Sequence, residues 1–87
     1  MASPARRIRK TVHSAEQLAL CELLFAARKK AGLSQHKLAG RLGKPQSFVA
    51  KYKGGERRLD VVEFVTIVQA IGADPVRLLR AFLREIG

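Results

Sequence analysis

The chain has 87 residues, 47% of them hydrophobic, and carries 17 Lys and Arg against 7 Asp and Glu, a net charge of +10. That length supports one small core, in a domain burying roughly 60 to 65% of the surface its unfolded chain exposes. No apolar stretch reaches the roughly 20 residues of a membrane span, and a lone cysteine, Cys21, excludes an internal disulfide.

Residues 1–13 contain Pro4 and the cations Arg6, Arg7, Arg9 and Lys10 but few large apolar groups, and they read as a flexible basic N-terminal arm. No apolar segment follows these cations before His13, Ser14 and Glu16, so the arm lacks the form of an export signal. The folded domain is expected over residues 14–87.

Ser14-Ala-Glu-Gln17 has the pattern of a capping box and opens a first helix expected from Ala15 to Ala31, with Gly32 as its left-handed stop. Cys21 falls in the apolar run of that helix and is expected to pack as a small hydrophobe. Ser34 offers the next N-cap, for a short helix from Gln35 to Leu42 ended by Gly43. Pro45 suits the first turn of a third helix continuing to about Lys53, where Gly54 and Gly55 break it. Asp60-Val-Val-Glu63 is a second capping box and begins a fourth helix to Ile71, stopped by Gly72; Asp74-Pro75 begins a fifth, to about Ile86. Five helices and no strand candidate predict an all-α fold.

Only Gly43, Lys44 and Pro45 separate the second and third helices, and helices joined so tightly cross steeply. A small residue is needed where their backbones approach, and Ala39 supplies it; Gly43 serves the turn. Leu38, Leu42, Val49 and Tyr52 fall where they would pin the pair onto the core. The charge is concentrated over the same stretch. From Leu24 to Arg58 there are ten basic residues and one acidic residue, Glu56, a field that attracts nucleic acid or an anionic surface.

Over Ala27 to Ile71 the chain resembles the phage-repressor or xenobiotic-response-element type of helix-turn-helix regulators. The motifs that carry the resemblance are Arg28-Lys-Lys-Ala-Gly-Leu-Ser-Gln35, Leu38-Ala39, Leu42-Gly43, Gln46-Ser47 and Gly55-Glu-Arg-Arg-Leu-Asp60. It implies a five-helix lambda-repressor-like DNA-binding domain whose third helix enters the major groove while the second lies across the backbone. Carried over residue by residue, it makes Gln46, Ser47 and Lys51 the base-contacting residues. Their chemistry suits the role: a glutamine amide pairs with adenine, a serine hydroxyl donates or accepts, and a lysine reaches guanine O6 and N7. Gln35 takes the place of the phosphate anchor, helped by backbone amides at its helix end. Lys44, Arg57 and Arg58 would clamp phosphates on either side. Phe48 is unusual beside the base readers; contact with a thymine methyl or sugar and packing under the following loop are both open.

One position departs from the pattern. The resemblance implies a glutamate at the end of the third helix facing Arg28, and here the residue is Lys53. A like-charge pair predicts either that the two side chains splay apart or that both turn toward phosphate, with lower intrinsic stability and stronger non-specific DNA affinity.

The fourth helix leaves only Glu63, Thr66 and Gln69 as a polar stripe, and the fifth sets Leu78, Leu79, Phe82, Leu83 and Ile86 against Arg77, Arg80 and Arg84. That apolar surface exceeds the needs of one small core and predicts a homodimer through helices 4 and 5 on a palindromic site, with recognition helices about 34 Å apart. Packing of helix 5 on helix 4 within one monomer is the competing reading. The expected partner is double-stranded DNA, with no membrane, and the expected role is a transcriptional regulator, a repressor, in the cytoplasm and associated with the bacterial nucleoid. An antitoxin-like protein that also neutralises a protein partner through helices 4 and 5 is the alternative, and RNA or pure protein recognition a third. His13, His36 and Cys21 lack metal-ligand spacing, and no paired carboxylates, phosphate loop or nucleophile-base set is present, so no metal, cofactor or enzymatic activity is expected.

Overall fold

The computed structural model describes residues 14–54 and 56–87. The arm expected over 1–13, and Gly55, lie outside the described residues. Five helices follow one another: α1 (Ala15–Lys30), α2 (Gln35–Leu42), α3 (Gln46–Lys53), α4 (Val61–Ile71) and α5 (Pro75–Ile86), with no strand among the described residues.

Their ends follow the local chemistry. The Ser14 side chain accepts from the Gln17 amide at 3.2 Å, but the return bond expected from Gln17 does not form, so this cap is half a box. The second box is complete: Asp60 accepts from the Glu63 amide at 2.7 Å and Glu63 accepts from the Asp60 amide at 3.0 Å. Helix α1 stops one residue earlier than expected, with Ala31 as its cap, and Pro45 is the N-cap of α3 rather than part of its first turn. Gly43, at φ 65°, ends α2 in a left-handed conformation that lets the chain reverse within three residues.

The core forms where α1, α2, α3 and α4 meet. Leu24, Leu38, Val49, Ile67 and Val68 are sealed from solvent around Tyr52, and Ala39 is buried at the approach of α2 to α3. Each large side chain here stabilises the fold by about 1.5–3 kcal/mol through burial, so a few of them outweigh the margin by which so small a domain stays folded. Leu42 and Phe48 pack against this core from its edge. Cys21 is buried as expected, but its thiol also donates to the Tyr52 carbonyl at 2.8 Å, joining α1 to the last turn of α3. Burial pushes the Cys21 thiol up and the Tyr52 phenol up to about 12, so both stay protonated in the fold. The stability tied to the Tyr52 proton is complete below the ordinary tyrosine value of about 10 and is lost as pH rises through about 12.

A second tie joins the helix pair to the rest of the domain. Arg41, in the last turn of α2, donates to the Ala70 carbonyl near the end of α4 at 2.8 Å. Helix α5 packs on α1 and α4 but buries no residue completely.

Candidate nucleic-acid interface

Helix α3 divides cleanly by exposure. Val49 and Tyr52 turn inward and Phe48 is half-buried, whereas Gln46, Ser47, Ala50 and Lys51 are exposed. The exposed positions recur at the helical repeat, so they form one strip along the outer face. The expected readers Gln46, Ser47 and Lys51 therefore share a face, and Ala50 stands among them. Sequence reading missed Ala50, although its spacing from Gln46 and Ser47 (four and three residues) was the signal. A methyl group there leaves room for close approach and offers contact to a thymine methyl.

Gln35 and Gln46 begin α2 and α3, and the turn brings them together: the Gln46 amide nitrogen lies 3.5 Å from the Gln35 side-chain oxygen. At the start of α2 the Ser34 hydroxyl accepts from the Lys37 amide at 3.0 Å. The amides of Gln35 and His36 then point out of the helix end, where a phosphate is favoured. No side chain caps α3, whose first turn opens behind Pro45 beside the exposed Lys44.

The two arginines after α3 differ in setting. Arg58 is exposed, whereas Arg57 is held on several sides. Its guanidinium pairs with Glu63 at 2.5 Å, donates to the Arg58 carbonyl at 2.8 Å, and lies 5.0 Å from the centre of the Phe48 ring. Lys44 lies over the same ring at 5.8 Å, and the ring meets Tyr52 edge to face at 5.8 Å. Phe48 thus packs under the loop, as one of its two expected readings had it. The network joining Phe48, Arg57 and Glu63 was not legible in the sequence, because the Asp60–Glu63 box accounted for Glu63 by itself.

At the other end of α3, Lys53 and Arg28 share one aromatic partner. Both lie on the ring of Phe25, Lys53 at 5.1 Å and Arg28 at 5.2 Å from its centre, with Lys29 at 6.0 Å. Arg28 is buried and donates to the Leu33 carbonyl at 2.7 Å, while its own carbonyl accepts from the Leu33 amide at 3.1 Å. An aromatic face and a main-chain carbonyl thereby supply the negative potential that a carboxylate would have brought. The cations also stand at the C-terminal ends of α1 and α3, where helix dipoles favour them. Replacing Lys53 by glutamate removes a like charge beside Arg28. We expect it to raise the melting temperature by a few degrees, for about 0.5–1 kcal/mol, and to weaken binding to random-sequence duplex. An unchanged melting temperature would mean that the Phe25 face already offsets the repulsion.

Residues 24–78 match a helix-turn-helix family model. Among solved structures, the chain is similar to an XRE-family like protein from Pseudomonas syringae pv. tomato str. DC3000, at 47% identity and a TM-score of 0.80, over 87% of this chain and 93% of that one. It is also similar to the restriction-modification controller protein C.AhdI from Aeromonas hydrophila, at 28% identity and a TM-score of 0.68, over 75% of this chain and 98% of that one. The controller protein C.Esp1396I, solved as a tetramer in complex with its natural 35 base-pair operator, shares the fold at 16% identity and a TM-score of 0.77, over 85% and 97% of the two chains. No curated protein matches the chain.

Proposed function

The chain belongs to the XRE type of helix-turn-helix proteins, DNA-binding regulators of transcription, and on that premise we propose that it is a repressor that binds a palindromic operator as a homodimer. The observation that carries this reading is the exposed strip of α3, with Gln46, Ser47, Ala50 and Lys51 on one face and Val49 and Tyr52 sealed behind it. Gln46, Ser47 and Lys51 read base edges in the major groove. Gln35, Lys44, Arg57 and Arg58 position the domain on phosphates, Arg57 by exchanging Glu63 for a phosphate oxygen. A domain seated in the groove occludes that stretch of DNA, and repression is the direct consequence.

The dimer reading rests on apolar surface left uncovered. On α5, Val76, Leu79 and Leu83 recur at helical spacing and remain exposed, and Val61 at the start of α4 is 76% exposed. Val61, Val76 and Leu79 line an apolar groove of about 310 Å³ floored by Phe64 and Leu20. Helix α5 does pack within the monomer through the half-buried Leu78 and Phe82, yet this second stripe stays free. A two-fold axis beside it would cover both copies at once and set two recognition helices on one side of the duplex.

The test is selection of bound duplexes from a random pool. The expected product is an enriched site with two-fold symmetry and half-sites about one helical turn, or 10 base pairs, apart. A pool that stays random overturns sequence-specific binding, and an enriched site without symmetry overturns the dimer. Enrichment of an asymmetric site together with co-purification of another protein would favour the reading in which α4 and α5 hold a protein partner.

A further inference from the structure

We propose that Phe48 is a positioning residue for DNA, whose ring holds Lys44 and Arg57 ready to meet phosphates beside the base-reading strip. The inference rests on the DNA-binding reading above and assigns a part to a side chain that neither reads bases nor belongs wholly to the core.

Phe48 is fixed before either cation reaches it. It lies one turn before Tyr52 on α3 and meets that buried ring edge to face, with centres 5.8 Å apart and planes at 69°. Tyr52 in turn is locked by the core and by the Cys21 thiol on its carbonyl. A half-buried ring so anchored offers a fixed patch of negative potential at the edge of the helix-turn-helix. Lys44 comes to it from the turn before α3, at 5.8 Å, and Arg57 from the loop after α3, at 5.0 Å. Lys44 and Arg57 stand on opposite sides of α3 in the sequence, and the Phe48 ring is a partner that both share.

The chemistry favours pre-positioning over simple attraction. A free lysine or arginine side chain gives up rotamer entropy, up to about 2 kcal/mol, when it is fixed on a phosphate. A cation already resting on a ring has lost part of that freedom beforehand. Two cations on one ring also repel each other, and the Glu63 carboxylate at 2.5 Å from Arg57 offsets one of the charges. Among the described residues, no carboxylate is paired with Lys44. Phosphate therefore meets an uncompensated Lys44 first, and Arg57 follows by leaving Glu63, which keeps the Asp60 amide as a partner.

The experiment measures duplex affinity against salt for the wild-type chain, Phe48→Leu and Phe48→Tyr, with melting temperature and base preference recorded for each. Each phosphate contact contributes about 0.9 to the slope of log affinity against log salt. We expect Phe48→Leu to reduce that slope by about one to two and to lower affinity several-fold at low salt, with base preference unchanged. Phe48→Tyr, which keeps the ring, should retain the wild-type slope. Should leucine destabilise the domain, Phe48→Met fills comparable space without a ring and is read in the same way. An unchanged slope overturns the proposal: with a lowered melting temperature it makes Phe48 a packing residue, and with altered preference at one base pair it makes Phe48 a base contact. A wild-type chain that does not bind duplex DNA at low salt would instead overturn the DNA-binding reading itself.

Discussion

Replacing Gln46 with alanine is expected to lower affinity for the selected operator by roughly 5- to 150-fold, or about 1–3 kcal/mol, while binding to random duplex stays nearly unchanged. The reason lies in where Gln46 stands. It is the first residue of α3, exposed, and placed against Gln35, the first residue of the helix before it. A side-chain amide in that position presents one donor and one acceptor to a base edge, a pairing that suits adenine. Truncation leaves the fold alone, because Gln46 contributes nothing to the buried core. Electrophoretic or fluorescence titration of operator and scrambled duplexes, with the melting curve as a control, separates the outcomes. Equal losses on both duplexes would assign Gln46 to phosphate, and no loss on either would remove it from the interface.

Leu79→Glu should have the second large effect, on the assembly. Leu79 is 45% exposed, so a carboxylate there stays solvated in the monomer and helix content is retained. In the proposed dimer the same carboxylate meets its own copy across the two-fold axis in an apolar setting, and association is lost. Two half-sites then bind independently, and affinity for the full operator falls by on the order of 100-fold or more, whereas affinity for an isolated half-site does not change. Sedimentation gives the direct reading: a dimer for the wild-type chain and a monomer for the variant. An equal sedimentation coefficient for both would place the interface elsewhere.

Much of the fold was legible because its boundaries are local. Ser34, Asp60 and Asp74 cap from their own side chains, and Gly32, Gly43 and Gly72 adopt positive φ at helix ends, so neighbours in sequence suffice to place them. The exposed strip of α3 was legible for a similar reason, since exposure on an eight-residue helix follows from its period. The interactions that escaped are those between side chains distant in sequence. Cys21 was expected to pack as a hydrophobe, and nothing around it announced that Tyr52 would turn a carbonyl toward its thiol. Lys53 was set against Arg28 as a repulsive pair. Nothing in the sequence marks Phe25, on the face of α1 that looks toward the end of α3, as the partner of both. Arg57 and Glu63 lie six residues apart across a loop, a separation with no periodicity to signal the contact. Cation–π contacts in general leave little trace in a sequence, because an aromatic residue at a core edge and a lysine on a surface each have an ordinary explanation.

The bond from Arg41 to the Ala70 carbonyl bears on how tolerant the operator can be. It fastens the α2–α3 pair to the helix that begins at the proposed subunit boundary, at the rim of the core, where Ala70 packs. With that tie in place, the proposed dimer would make the distance between its two reading heads a dimension of the protein. The DNA must then supply any adjustment. One added base pair between half-sites turns one of them by about a tenth of a revolution, a mismatch that the duplex has to absorb by twisting. Spacing would thus discriminate between sites as sharply as the bases themselves.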